Sequence, residues 1–141
     1  MDMRQITPTY HVSPQISPED AQAIKDAGFV RVICNRPDAE NPPALQAEAV
    51  GTAMRAAGLE FEVLPLTHQT MTPANVARQD ELAQTADGPV LAYCASGTRS
   101  TVIWALSQAG HQSTDAILDA AAKGGYDLAG LRPTLDAIAQ G

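Results

Sequence analysis

The sequence predicts an α/β fold, a mostly parallel central sheet flanked by helices. Two observations lead there. Short β-rich runs (FVRVIC at 29–34, an alternating stretch at 59–66 and VLAY at 90–93) are each followed by a segment of helical spacing. Glycines and prolines cluster at the joints between these segments (Gly28, Pro42-Pro43, Gly58, Gly88-Pro89), as crossover connections require.

Each element has a local reason. Residues 3–12 read as a short hairpin or two edge strands, with Pro8 at the turn. Ser17 before Pro18-Glu19-Asp20 opens a helix with a capping hydroxyl, a first-turn proline and first-turn acids, and Gly28 closes it. NRPDAENPP at 35–43 is a loop of breakers. An alanine-rich helix is predicted over 44–57, closed by Gly58. THQTMTPANV leads into a helix over 73–86 with Thr72 as its cap, and Asp87-Gly88-Pro89 turns into the third strand. Helices follow over 100–109, 114–123 and 134–139, with Gly124-Gly125 and Pro133 as separators.

The 141 residues suit one catalytic domain, 1–141, and 45% hydrophobic composition suits a packed core. The net charge of −7 argues against nucleic acid as a partner. An anionic ligand therefore has to be attracted by a local field. No run matches a membrane helix, and MDMRQITPTYHV lacks the apolar centre of a signal peptide, so the expected compartment is the cytoplasm. Two cysteines make no disulfide framework.

In an open parallel sheet, ligands bind beyond the carboxyl ends of the strands. Three loops leave those ends: Asn35-Arg36-Pro37, Thr67-His68-Gln69 and Cys94–Arg99. They are predicted to converge. In the third, Cys94 is followed by Ala95, Ser96, Gly97, Thr98, Arg99 and Ser100 at the start of a helix. Backbone N–H groups of such a loop, with the unpaired donors of the helix N-terminus, form a nest that holds anions and stabilises a thiolate. Gly97 permits a backbone conformation closed to other residues, Arg99 offers a planar fork of donors, and Ser100 can cap the helix or donate to the sulfur. A lone cysteine at a strand end is usually inert core; the whole combination is more specific.

Four residues separate Cys94 from Arg99. Cysteine-dependent phosphatases carry five, and rhodanese-type sulfurtransferases often carry four. The tighter cup suits a persulfide sulfur better than a phosphoryl group in transfer. Such phosphatases also use a general acid, often an aspartate on a neighbouring loop. PLTHQTMTP holds only His68 as a titratable group. Sulfite, in contrast, leaves without protonation.

With "VSPQISPEDAQAIKDAGFVRVICNRPDAE", "AGLEFEVLPL" and "GPVLAYCASGTRSTVIWAL", nearly the whole chain resembles the β-lactamase hydrolase-like family, bacterial domains with a phosphatase-like fold and a rhodanese-like loop. The resemblance implies a dual-specificity-phosphatase-like fold. It implies sulfur transfer from thiosulfate or a low-molecular-weight persulfide to a thiol or cyanide, with Cys94 and Arg99 catalytic. It also implies a separate persulfide dioxygenase as a partner. Many relatives carry arginine directly after the cysteine, where this chain has Ala95, which shifts the expectation towards a persulfide donor. No metal or cofactor is expected. The alternatives are a cysteine-dependent phosphatase and a non-catalytic module that binds an anion or a partner.

Around the cup, Arg36 is either a second cation for the anion or a solvated arginine beside Asp38 and Glu40. His68 either orients substrate as a weak acid or has no role. Cys34 reads as a buried structural cysteine or a resolving thiol, Tyr93 and Trp104 as packing, and His11 and His111 as lacking a metal pattern.

Overall fold

A computed structural model describes residues 1–141. Five strands, β1 (Arg4–Thr7), β2 (Tyr10–Ser13), β3 (Arg31–Cys34), β4 (Glu60–Val63) and β5 (Val90–Tyr93), form one sheet in the order β1-β2-β5-β3-β4. β1 and β2 are an antiparallel hairpin, and the other neighbours run parallel. The Thr7 hydroxyl accepts from the N–H groups of Thr9 and Tyr10, which holds the turn at Pro8.

Six helices cover the sheet: α1 (Ala21–Asp26), α2 (Ala47–Ala56), α3 (Pro73–Gln84), α4 (Thr98–Gln108), α5 (Thr114–Lys123) and α6 (Arg132–Gln140). On one face Ile24, Val50 and Met54 from α1 and α2 pack on Val32, Phe61 and Leu91. On the other, Leu82, Trp104, Ile117 and Leu135 from α3–α6 pack on Val12, Ile33 and Ala92. Every residue of β3 and β5 is buried, as expected for strands covered on both sides.

Several boundaries differ from the sequence-based expectation. A 3₁₀ turn at Pro18–Asp20 precedes α1, and the Asp20 carboxylate accepts from the Ser17 N–H. Another at Pro43–Leu45 precedes α2. Residues 64–66 leave β4 and become part of the site. α4 begins at Thr98 rather than at residue 100. α6 begins at Arg132, so Pro133 lies in its first turn instead of separating it from what precedes, because a first-turn N–H has no helical partner to lose. The Thr72 cap forms, its hydroxyl accepting from the Asn75 N–H at 3.2 Å.

The strand order places the site. The chain leaves β3 for α2 on one face, and leaves β5 for α4 on the other. β3 and β5 are neighbours, so their outgoing loops part and leave a crevice between them, which is where open α/β sheets bind ligands.

Candidate active site

β5 delivers Cys94 to the centre of this crevice with its side chain fully buried. The Gly97 N–H donates to Cys94 Sγ at 3.1 Å. Gly97 has φ +93°, in the left-handed region, and this turns the chain directly into α4. A second constraint acts on the same atom. A Cβ here would lie 2.1 Å from the Tyr126 hydroxyl, which donates to Ser96 O at 2.9 Å and braces the outside of the loop. The Ser96 hydroxyl is hydrogen-bonded to that of Thr98 at 2.9 Å. Ala95 is exposed, and its carbonyl accepts from the Gln15 N–H, which ties the loop to the segment after β2.

Arg99, in the first turn of α4, folds back between the loops that follow β3 and β4. Its Nη1 and Nη2 donate to the two Glu40 carboxylate oxygens at 2.7 Å each, and Nη1 also donates to Leu66 O at 2.8 Å. The mutual effect is visible in both groups. The Arg99 guanidinium holds the Glu40 carboxyl below its ordinary range, and Glu40 raises Arg99 further. Glu40 takes the end of the fork. Nε and the second Nη2 proton make no hydrogen bond to an oxygen of the chain, and Cys94 adds to the rise in the Arg99 pKa.

Arg36 is placed on Glu40, not on the loop. Its Nε donates to Glu40 Oε1 at 3.2 Å, Nη2 to Glu40 O at 3.2 Å and Nη1 to Gln15 Oε1 at 3.3 Å. It thus acts on the cup through the carboxylate that orients Arg99. His68 is exposed, in a turn in which the Thr67 N–H donates to the Thr70 hydroxyl at 2.8 Å. It lines the near end of an apolar groove beside α4.

Ser100 faces away from the sulfur. Its hydroxyl donates to Asn35 Oδ1 at 2.9 Å. Asn35 Nδ2 donates to Gln79 Oε1 at 2.9 Å and to Leu64 O at 3.0 Å, and Gln79 Nε2 donates back to Asn35 Oδ1 and to the Tyr10 hydroxyl, each at 3.1 Å. Tyr10 closes the circuit by donating to Ser100 O at 2.7 Å. All four residues are buried, and burial pushes the Tyr10 hydroxyl up, so it stays a donor.

Cys34 lies on the opposite face, among the α1–α2 cluster with Tyr93. Its thiol donates to Arg36 O at 3.4 Å, and burial pushes its pKa up. Trp104 is core, stacked on Tyr10. His11 packs edge-on against Phe29, and His111 lines the far end of the groove.

Sequence reasoning missed Glu40 as the partner of Arg99, and Gln79. For Gln79 a signal existed: with Val76 and Leu82 it falls at three-residue spacing on the apolar stripe of α3, where a glutamine needs a buried partner. For Glu40 there was none beyond its charge.

The profile of the "Beta-lactamase hydrolase-like protein, phosphatase-like domain" matches residues 2–111. Beta-lactamase hydrolase-like proteins of Agrobacterium fabrum and Xylella fastidiosa are 33% and 32% identical over 112 and 103 residues, 77% and 72% of this chain. The chain spans about a quarter of their length, 26% and 24%. Among solved structures, a candidate phosphatase of Neisseria meningitidis is 30% identical, with a TM-score of 0.87 over 98% of this chain and 99% of that one. PTPMT1 shares the fold at 18% identity, with a TM-score of 0.75 over 98% of this chain and 94% of that one. Pseudomonas aeruginosa TpbA, solved with phosphotyrosine, shares it at 16% identity, with a TM-score of 0.68 over 99% and 88%. No helix of this chain is long and apolar enough to cross a membrane. The phosphatase-like α/β fold, the cysteine loop it carries and these matches lead to one assignment: the chain belongs to the β-lactamase hydrolase-like family, through that family's phosphatase-like domain.

Proposed function

We propose that Cys94 is a nucleophile for a small anion seated on the Ser96–Arg99 loop, and that the group it takes is sulfane sulfur. The Cys94 thiolate attacks the outer sulfur of thiosulfate or of a low-molecular-weight persulfide. The new S–S bond forms as the bond to the sulfite or thiolate leaving group breaks, and that group departs with the electron pair. Cys94 is left as a persulfide. An acceptor thiolate or cyanide then takes the outer sulfur and restores the Cys94 thiolate. The Gly97 N–H, the start of α4 and the remaining edge of Arg99 stabilise the charge throughout.

The observation that carries this reading is the state of the nearby acids. Glu40 is bound at both oxygens by Arg99 and again by Arg36. Asp38, on the same loop, accepts from the Ala47 N–H. Glu40, held at both oxygens by arginine, is no ready proton donor for a departing alkoxide, and sulfite and persulfide thiolates do not need one.

A second reading is phosphomonoester hydrolysis through a Cys94 phosphothioester. The phosphatase-like fold and the names of the relatives weigh for it more than for sulfur transfer, and the remaining edge of Arg99 suits phosphoryl oxygens. His68, the titratable residue of the loop after β4, is then the candidate acid for the leaving group. Thiosulfate and glutathione persulfide turnover measured beside aryl and alkyl phosphate turnover separates the two, with Cys94→Ser as control. Phosphate turnover alone would overturn the sulfur reading. A non-catalytic binding role predicts neither turnover.

A further inference from the structure

One peptide group of the loop, between Ser96 and Gly97, is held at both ends. Its N–H, from Gly97, donates to Cys94 Sγ at 3.1 Å. Its C=O, from Ser96, accepts from the Tyr126 hydroxyl at 2.9 Å. The peptide is trans, so its N–H and C=O point in opposite directions and one rotation sets both. Gly97, at φ +93° and ψ −8°, has the dihedrals of the third residue of a type II turn. A half-turn of this peptide plane gives the type I arrangement, which glycine also adopts. The backbone alone therefore does not choose between an N–H and a C=O facing the sulfur. A carbonyl in that place would repel a thiolate.

Tyr126 is held from outside the loop. The Gly124-Gly125 turn that ends α5 brings it to the cup, with its N–H donating to Ala121 O at 2.9 Å. Its side chain is buried in the cluster of Trp104, Ile117 and Leu135. The Arg4 guanidinium of β1 lies over the ring, 5.3 Å from its centroid, and donates to Gly124 O at 3.4 Å. We infer that Tyr126 is a positioning residue for the nucleophile: its hydroxyl, by holding Ser96 O outward, keeps the Gly97 N–H aimed at Cys94 Sγ. The inference rests on the reading of Cys94 as the reacting thiolate, but not on which group the sulfur takes. Four titratable groups sense the charge of Cys94: Arg99, itself paired with Glu40, and Cys34, Tyr10 and Tyr126. Burial keeps the last three protonated at neutral pH, so Tyr126→Phe removes a hydrogen bond and no charge.

The test is alkylation of the full chain by iodoacetamide across a range of pH. The rate at Cys94 is followed by peptide mass spectrometry, which separates it from Cys34. Tyr126→Phe keeps the ring and its packing. The midpoint of its rate profile rises by about one pH unit, because the thiolate loses a fixed donor. Below both midpoints the rate falls by about threefold to tenfold. On the alkaline plateau it does not fall, since a more basic thiolate is the better nucleophile. Ile24→Val, a core truncation on the opposite face of the sheet, lowers stability and leaves the midpoint in place. An unchanged or lowered midpoint in Tyr126→Phe overturns the inference. So does an equal rise in Ile24→Val, which would tie the profile to stability and not to the peptide plane. The sulfur-transfer reading fails by a different sign, a wild-type Cys94 that is alkylated but takes up no sulfur from thiosulfate or glutathione persulfide.

Discussion

Arg99 has five N–H donors, and three are spent on holding it still. Two go to Glu40 and one to Leu66 O. An arginine fixed at one end can present the other edge without the entropy cost of ordering a free side chain. Glu40→Gln keeps the shape and removes the charge, so kcat/KM falls by about tenfold to a hundredfold while the fold is retained, since Glu40 lies at the surface. The pH dependence has a definite sign. Arg99 lowers the folded-state pKa of Glu40, so its contribution is complete above the ordinary glutamate value of about 4.3 and is lost only as pH falls through the lower folded value. Activity therefore shows no step from this pair between about pH 5 and 8, and Glu40→Gln removes an acid-side loss rather than shifting a neutral one. Gly97 is constrained twice, by φ and by Tyr126. Gly97→Ala costs about 1–3 kcal/mol or more and lowers turnover; adding Tyr126→Phe removes the 2.1 Å contact but leaves the ring carbon at 2.9 Å and the backbone strain, so stability is recovered only in part.

At the scale of elements, four residues from four segments hold the start of α4 in place: Tyr10 of β2, Asn35 after β3, Gln79 of α3 and Ser100 of α4. Every hydrogen-bonding position of the Asn35 amide is used. Gln79→Leu leaves one Asn35 donor buried and unpaired and costs about 1–3 kcal/mol. Urea unfolding then shows a lower midpoint with an unchanged slope. The Cys94–Arg99 loop was legible because strand, glycine turn and helix start are local in sequence. The direction of Ser100 was not, because it depends on α4 starting at Thr98, two residues earlier than its spacing suggests. Glu40 was not legible because its partner is 59 residues away. The QIS and NRP stretches gain a physical reason only in three dimensions. Gln15 accepts from Arg36 and Asn41 while its N–H holds Ala95 O, so these stretches frame the cup.

At the scale of the molecule, the net charge of −7 is overcome only locally, by a helix terminus and one edge of Arg99 at the point where the loops after β3 and β5 part. The alternation of strands and helices was enough to predict that convergence. It could not give the strand order, because pairing between distant strands leaves no periodic signal. Nor could it show the groove beside α4, which exists only where α3, α4 and α6 meet. The central claim is that Cys94 carries sulfane sulfur as a covalent intermediate. Intact-protein mass spectrometry after incubation with thiosulfate or glutathione persulfide tests it most directly. The account predicts a gain of one sulfur on the wild-type chain, discharged by added thiol or cyanide and absent in Cys94→Ser. A wild-type chain that gains no sulfur, yet traps phosphate from an aryl phosphate on Cys94, would contradict it.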